Sequence, residues 1–111
     1  MKKMKVAPLN LCFELTGNLT EVKFRLPIGT EVLSVSKKEE NDNIFFSITY
    51  MSPSEAYTPP TEHFYEWIYY HFFAVKCNFT EIEIDEHKYI GNIDIDDNTY
   101  AVFYKVGKPV I

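Results

Sequence analysis

The sequence predicts a mainly β protein, a small β-sandwich or partly open barrel of about seven or eight antiparallel strands. Successive short segments alternate apolar and polar residues with period two, as strands with one buried face do. These segments are rich in β-branched and aromatic residues, and turn-forming Gly, Pro, Asn and Asp separate them. The apolar face of such a sheet must be covered, and only a second sheet or one candidate helix is available.

Length and composition set the outer limits. The 111 residues, 46% of them hydrophobic, predict one ordered domain over residues 1–111. No run of about 18 uncharged apolar residues exists, so we expect no membrane span. The basic start is followed by Pro8, Asn10 and Glu14 where a signal peptide needs an unbroken apolar stretch. These features predict a cytoplasmic protein.

Charge and cysteine content narrow the partners. Sixteen acidic residues outnumber 11 basic ones, for a net charge of −5, which argues against nucleic acid as a partner because phosphates need a basic surface. Cys12 and Cys77 do not form a CxxC pair. In a reducing cytosol we expect both to be buried thiols.

The first half of the chain predicts four strands. Residues 9–15 and 21–26 both alternate, and Gly17-Asn18 between them predicts a hairpin. Pro27-Ile28-Gly29 ends the second strand. A third strand begins over residues 32–35.

Beyond that third strand the chain turns polar and then apolar again. Residues 37–43 are expected to form a solvated loop, and residues 44–51 a fourth strand. Residues 52–61 contain three prolines among Ser and Thr and are not expected to form regular structure.

The aromatic segment 62–75 is ambiguous between helix and strand. Thr61 could cap a short helix over residues 62–70, whereas the aromatic content favours a long central strand, above all from His71 onward. Ile82 and Ile84 alternate with acids in a predicted edge strand. Residues 89–95 and 99–106 predict a closing hairpin around Asp96-Asp97-Asn98.

Catalytic and metal motifs are missing from the sequence. His63, His71 and His87 have no partner at ligand spacing, and His71 is expected to be a core or groove histidine. The four glycines form no phosphate-binding loop, and no nucleophile elbow is present. We therefore expect no enzymatic activity, no metal and no cofactor.

The aromatic residues carry the strongest signal. Eleven of the eighteen lie between Phe45 and Phe73, and adjacent pairs such as Tyr69-Tyr70 put an aromatic on both faces of a strand. Either both faces of the sheet are covered, or one face binds a partner. The candidate binding residues are Tyr57, Phe64, Tyr65, Trp67, Tyr69 and His71.

Two sequence motifs resemble those of a family of short, uncharacterised phage and prophage proteins. The first is the strand-turn-strand segment from Leu26-Pro27-Ile28-Gly29 to Val32-Leu33-Ser34-Val35. The second joins Tyr89-Ile90-Gly91 to the closing strand Tyr100-Ala101-Val102-Phe103-Tyr104. The resemblance implies a small all-β accessory protein of phage type and nothing about its chemistry.

These observations predict a non-enzymatic accessory protein that binds a protein partner, such as a host factor it inhibits, through its aromatic surface. Self-association into a homo-oligomer is an expected use of the same residues. One alternative is a small-molecule or nucleotide-sequestering protein, although Arg25 is the sole arginine available to a phosphate. Another is a structural virion component.

Overall fold

The computed structural model describes residues 2–107, which form seven strands in two antiparallel sheets. In chain order the strands are β1 (Met4–Leu11), β2 (Leu19–Pro27), β3 (Glu31–Glu40), β4 (Asn43–Pro53), β5 (Trp67–Lys76), β6 (Lys88–Ile95) and β7 (Asn98–Val106). One sheet has the order β1-β4-β3 and the other β2-β5-β7-β6. The predicted mainly β, sandwich-like fold is confirmed, and the sheets do not close into a barrel.

A single hydrophobic cluster fills the space between the sheets. Its most deeply buried members are Phe46 and Ile48 from β4, Phe72 from β5 and Val102 from β7, each at most 1% exposed. They occupy alternate positions of their strands, so the period-two pattern of the sequence is the pattern of the core. Burying such side chains contributes roughly 1.5–3 kcal/mol each.

The predicted hairpin between residues 9–15 and 21–26 is wrong. β1 pairs with β4, whereas β2 pairs with β5 in the other sheet. Residues 12–18 therefore cross from one sheet to the other, and Phe13 on this crossover enters the core. Local alternation identifies a strand, but the strand's partner is chosen by long-range packing.

The solvated loop predicted over residues 37–43 is also wrong. β3 continues to Glu40, and only Asn41 and Asp42 form the turn to β4, with φ of 50° and 64°. Asn and Asp tolerate this left-handed conformation, which a two-residue hairpin turn requires. The charged residues 37–40 are exposed because this end of the hairpin extends past the core.

The proline-rich segment is more regular than expected. β4 runs to Pro53, and two single-turn 3₁₀ helices follow, Ser54–Tyr57 and Thr61–Phe64. The short helix predicted over residues 62–70 is thus limited to one turn. The strand alternative is confirmed, and β5 begins at Trp67, four residues before His71.

After β5, one sequence prediction is wrong and one is confirmed. Ile82 and Ile84 do not lie in a strand, because residues 81–87 cross over the four-stranded sheet instead of pairing at its edge. The closing hairpin of β6 and β7 is confirmed, with its turn at Asp96 and Asp97.

Both cysteines are exposed, so the prediction of buried thiols is wrong. Cys12 follows directly after β1 on the crossover, where its neighbours Leu11 and Phe13 point into the core. Cys77 follows directly after β5, beyond the part of the strand that packs against the other sheet. No helix within residues 2–107 has the length and apolar content needed to cross a membrane.

Gly91 lies where the sheets meet along β3 and β6. Its φ is +150°, and an added Cβ would stand 3.0 Å from Cγ1 of Val35. We expect Gly91→Ala to lower the free energy of unfolding by about 1–3 kcal/mol, since both the backbone conformation and the contact penalise a side chain. Urea denaturation measures the change. Gly17→Ala is the matched control, because nothing lies within 4 Å of its added Cβ; equal effects of the two substitutions would contradict the prediction.

Tyr70 is buried, and its hydroxyl donates a hydrogen bond of 2.8 Å to the backbone oxygen of Thr30. Burial raises the pKa of this hydroxyl above its ordinary value of 10.0. The folded state thus holds the proton more tightly, so its stabilising effect is complete below pH 10 and is lost as the pH rises through the folded-state pKa. We expect Tyr70→Phe to cost about 1–2 kcal/mol at neutral pH and to flatten the alkaline loss of stability. An unchanged alkaline slope in denaturation curves would argue against this origin.

Candidate binding surface

One face of β5 is turned away from the core and carries four ring side chains. Trp67, Tyr69, His71 and Phe73 alternate with core residues along the strand, and we call these four the outer stripe. With a rise of about 3.3 Å per residue, Trp67 and His71 lie roughly 13 Å apart. The strand thus brings three of the six predicted binding residues onto one surface.

Tyr69 is the most exposed member of the outer stripe, at 45%. Arg25 lies directly opposite on β2, with its guanidinium carbon 5.7 Å from the centre of the Tyr69 ring. The guanidinium Nη2 also donates a hydrogen bond of 3.4 Å to the backbone oxygen of Trp67. A cation over the ring restrains Tyr69 while leaving its edge and hydroxyl accessible.

Tyr57 supports Trp67. Their rings meet edge to face with centroids 5.7 Å apart. The Tyr57 hydroxyl shares a hydrogen bond of 3.0 Å with the Ser52 hydroxyl, and the Lys5 ammonium lies 5.5 Å from the Tyr57 ring centre. Burial, and secondarily the neighbouring Tyr57, raises the pKa of Tyr50 beneath this group. Tyr57 therefore orients the end of the outer stripe and is itself half-buried.

Phe64 and Tyr65 stand apart from the outer stripe. Phe64 ends the second 3₁₀ helix and is 85% exposed. Tyr65 is half-buried and lines a separate cleft of about 450 Å³ together with Lys2 and Lys3. Four of the six predicted binding residues thus lie together, namely Trp67, Tyr69, His71 and the supporting Tyr57. Phe64 and Tyr65 lie outside this group.

His71 is joined to a carboxylate across the sheet. Its Nδ1 lies 3.0 Å from Oε1 of Glu21 on β2. In the neutral ring Nδ1–H donates to this carboxylate, and Nε2 keeps a lone pair for a donor from outside. Nε2 lies beside Gly107, where an added Cβ would stand 3.1 Å from it and 2.7 Å from the backbone oxygen of Tyr69. Glycine therefore allows the backbone to pass close to this edge of the ring.

An open cleft of about 560 Å³ begins at His71. It holds three carboxylates, those of Glu21, Asp85 and Glu86, against the one ammonium of Lys105. That ammonium lies 3.1 Å from Asp85 Oδ2. Because carboxylates predominate and Lys105 already has a partner, the cleft disfavours anionic ligands.

Residues 81–87 form the outer wall of this cleft. The ring of His87 packs on Phe73 with centroids 4.9 Å apart, and His87 Nδ1 accepts a hydrogen bond of 3.0 Å from the backbone N–H of Asp85. Ile82 helps to line an apolar space of about 280 Å³ against Phe73 and Phe103. This segment covers the outer stripe at Phe73 and leaves Tyr69 accessible.

The cleft holds a histidine beside a carboxylate but, among the described residues that line it, no hydroxyl or thiol. Glu21 and His71 have the geometry of a carboxylate that orients a histidine base. A serine, threonine or cysteine nucleophile would also need its hydroxyl or thiol within reach of Nε2, and none of the described cleft-lining residues supplies one. Within residues 2–107 no three His, Cys, Asp or Glu side chains are placed to hold a metal ion. The arrangement can accept a hydrogen bond and offer an apolar contact.

Sequence reasoning missed several residues of this surface. Phe73 continues the alternation of Tyr69 and His71 and could have been found from it. Arg25 and Glu21 could not, because they reach the outer stripe only through the pairing of β2 with β5. Phe79, which is fully exposed at a φ of 66°, lies in the connection after β5, at the end away from Trp67.

Comparisons with protein-family models, curated proteins and solved structures found no match to this chain. The resemblance to phage and prophage proteins therefore stays a prediction. The fold and the side-chain geometry carry the functional argument.

We expect His87→Ala to loosen residues 81–87 from the sheet, because it removes both the Phe73 contact and the acceptor for the Asp85 N–H. Hydrogen–deuterium exchange should become faster in this segment, with little change in the β5 amides or in global stability. His63→Ala is the control, since His63 is exposed on the second 3₁₀ helix. Unchanged exchange over residues 81–87 would count against the two contacts as the anchor.

Proposed function

We propose that this protein acts by binding another protein through the exposed half of the outer stripe, centred on Tyr69, and that it catalyses no reaction. The single observation that carries the proposal is the geometry of Tyr69, which projects from an ordered strand and is restrained by Arg25. An accessory role in a phage or prophage, directed at a host protein, is the form that the sequence resemblance suggests.

The side chains present are those that dominate protein interfaces. Trp, Tyr and Arg are enriched among residues whose removal costs most binding energy, and here Trp67, Tyr69 and Arg25 are adjacent. Their restraint by neighbours lowers the entropy lost on binding. His71 adds an acceptor at Nε2 beside them, which gives a partner's N–H or O–H group a fixed position.

The same geometry argues against an enzyme. A histidine oriented by a carboxylate works as a base only when a nucleophile or substrate proton reaches its free nitrogen. The described residues that line the cleft at His71 provide no hydroxyl or thiol for such a base to activate. Hydrogen bonding to a partner uses this pair as it stands.

The cleft supports a second candidate, a small-molecule binder. Its volume of about 560 Å³ suits a metabolite. Its carboxylates favour a cationic or neutral ligand over a nucleotide. A rise in melting temperature with polyamines or aromatic amines, and none with nucleotides, would support this candidate. A flat response across both sets would remove it.

Photo-crosslinking tests the proposed protein interface. Tyr69 is replaced by p-benzoylphenylalanine, and a second variant carries the same group in place of Lys38, which is exposed on β3 of the other sheet. Illumination in the cells that make the protein should give one dominant crosslinked protein at position 69 and not at position 38. Mass spectrometry of the isolated adduct identifies it.

The affinity of that purified protein for the wild-type chain and its variants then tests the proposed interface. We expect Tyr69→Ala to weaken binding by roughly thirtyfold, the loss typical of a central interface aromatic, with the melting temperature retained. Lys38→Ala should bind like the wild type. Equal crosslinking at both positions, or unchanged affinity of Tyr69→Ala, would overturn the proposal.

A further inference from the structure

Four strands lie at the outer edges of the two sheets, and three of them carry features that hinder pairing with another strand. β1 contains Pro8, which has no N–H. β3 and β6 each have a register irregularity, at Val32/Ser34 and at Tyr89/Gly91, and they lie side by side where the sheets meet. Proteins use prolines, bulges and covering elements to protect sheet edges. β2 has no bulge, and its proline stands only at its last residue, Pro27.

β2 therefore offers an uninterrupted free edge. Its nine residues pair with β5 in one continuous register, and its only proline, Pro27, is its last residue. Within residues 2–107 no strand pairs with its other edge. The edge presents a row of donors and acceptors that a further strand can satisfy.

The backbone bonds show which residues face that edge. Asn18 accepts a bond of 2.8 Å from the Lys76 N–H, and the Ile28 N–H donates one of 2.8 Å to Glu66. Both pairs continue the register of β2 with β5, so even-numbered positions bond to β5. The odd-numbered positions direct their backbone groups outward. The four that carry an N–H are Leu19, Glu21, Lys23 and Arg25.

We propose that β2 pairs antiparallel with β2 of a second copy of this chain, in the register that sets Val22 opposite its own counterpart. This pairing would join two four-stranded sheets into one of eight strands. It is distinct from the proposed function, because its backbone hydrogen bonds form at the edge of the sheet. The proposed partner contacts the outer face, to which the side chains of Glu21 and Arg25 also belong.

The register follows from charge and donor positions. With Val22 at the two-fold axis, Glu21 lies opposite Lys23 of the second copy, and the reverse pair forms by symmetry. Opposite charges across a strand pair are stabilising, whereas like charges are destabilising. All four outward N–H groups also find a carbonyl partner, because the residues that carry them lie opposite one another. Glu21 pairs with Lys23 and Leu19 pairs with Arg25.

The neighbouring registers each place like charges opposite each other. With Lys23 at the axis, Glu21 lies opposite Arg25, but two lysines face each other. Leu19 then lies opposite Pro27, which lacks a donor. With Phe24 at the axis, Lys23 lies opposite Arg25. With Glu21 at the axis, two carboxylates face each other. Pairings whose axis falls between two residues set side chains of the outer face against side chains of the inward face.

The apolar side of β2 also favours a second copy. Phe24 is 41% exposed although it lies on the inward face of the strand, because the sandwich is open beside β2. In the proposed register Phe24 lies opposite Thr20 of the second copy, and the two Val22 side chains meet. Pairing thus covers apolar surface that the isolated chain leaves in water.

A charge exchange tests the register. Sedimentation equilibrium should show a dimer for the wild type, and Glu21→Lys or Lys23→Glu alone should each weaken dimerisation about tenfold, since two symmetric pairs become repulsive. The double variant restores the attraction and should dimerise like the wild type. Lys38→Glu, on the other sheet, is the control and should have no effect.

A disulfide provides an independent measurement. In the proposed register the two Val22 positions form a non-hydrogen-bonded pair with Cα atoms about 4.5 Å apart, within the range for a disulfide. In a Cys12→Ser, Cys77→Ser background, Val22→Cys should crosslink under mild oxidation and Lys23→Cys much less. Both native cysteines are exposed and must be removed first.

A wild type that is monomeric at every concentration would overturn the proposal. A dimer that is indifferent to both single charge substitutions, or that Lys23→Cys crosslinks better than Val22→Cys, would also overturn it. Circular dichroism and melting temperatures establish that each variant is folded. Crosslinking at position 69 is read separately, so failure of the dimer and failure of the proposed protein interface are distinguishable.

Discussion

The two-sided character of β5 is the constraint on which the rest of this structure depends. Its even-numbered residues Ile68, Tyr70 and Phe72 fill the core, so the odd-numbered ring side chains must lie on the opposite face. A shift of one residue along the strand would bury the polar ring of His71 and expose Phe72. Because β5 carries rings at both odd and even positions, it has an aromatic outer face as well as an aromatic core face.

The neighbours of β5 determine what that surface does. β2 supplies Arg25 to Tyr69 and Glu21 to His71, which converts mobile side chains into restrained ones. The 81–87 segment covers Phe73 and leaves Tyr69 open. The accessibility of the surface therefore falls along the strand, from the exposed aromatic ring of Tyr69 to the covered, acid-rich cleft at Phe73. This division supports recognition of a protein at one end more than capture of an anionic metabolite at the other.

β2 has two roles in this arrangement. Its side chains on the outer face organise the outer stripe, while its backbone presents the unprotected edge of the sheet. A dimer through that edge would place two outer stripes on one continuous face, related by a two-fold axis. A partner would then meet two equivalent surfaces, so that weak contacts at each would reinforce one another.

The mainly β class, the closing hairpin of β6 and β7, and the strand assignment of residues 67–76 could all be derived from the sequence, because alternation and β-branched or aromatic content are local properties. The same alternation placed Trp67, Tyr69 and His71 among the candidate residues. Only the tertiary structure decided that β1 and β2 belong to different sheets, that Arg25 and Glu21 meet the outer stripe, and that Cys12 and Cys77 are exposed. Those outcomes depend on contacts between residues far apart in the chain, and a local pattern does not encode which strand will be the neighbour.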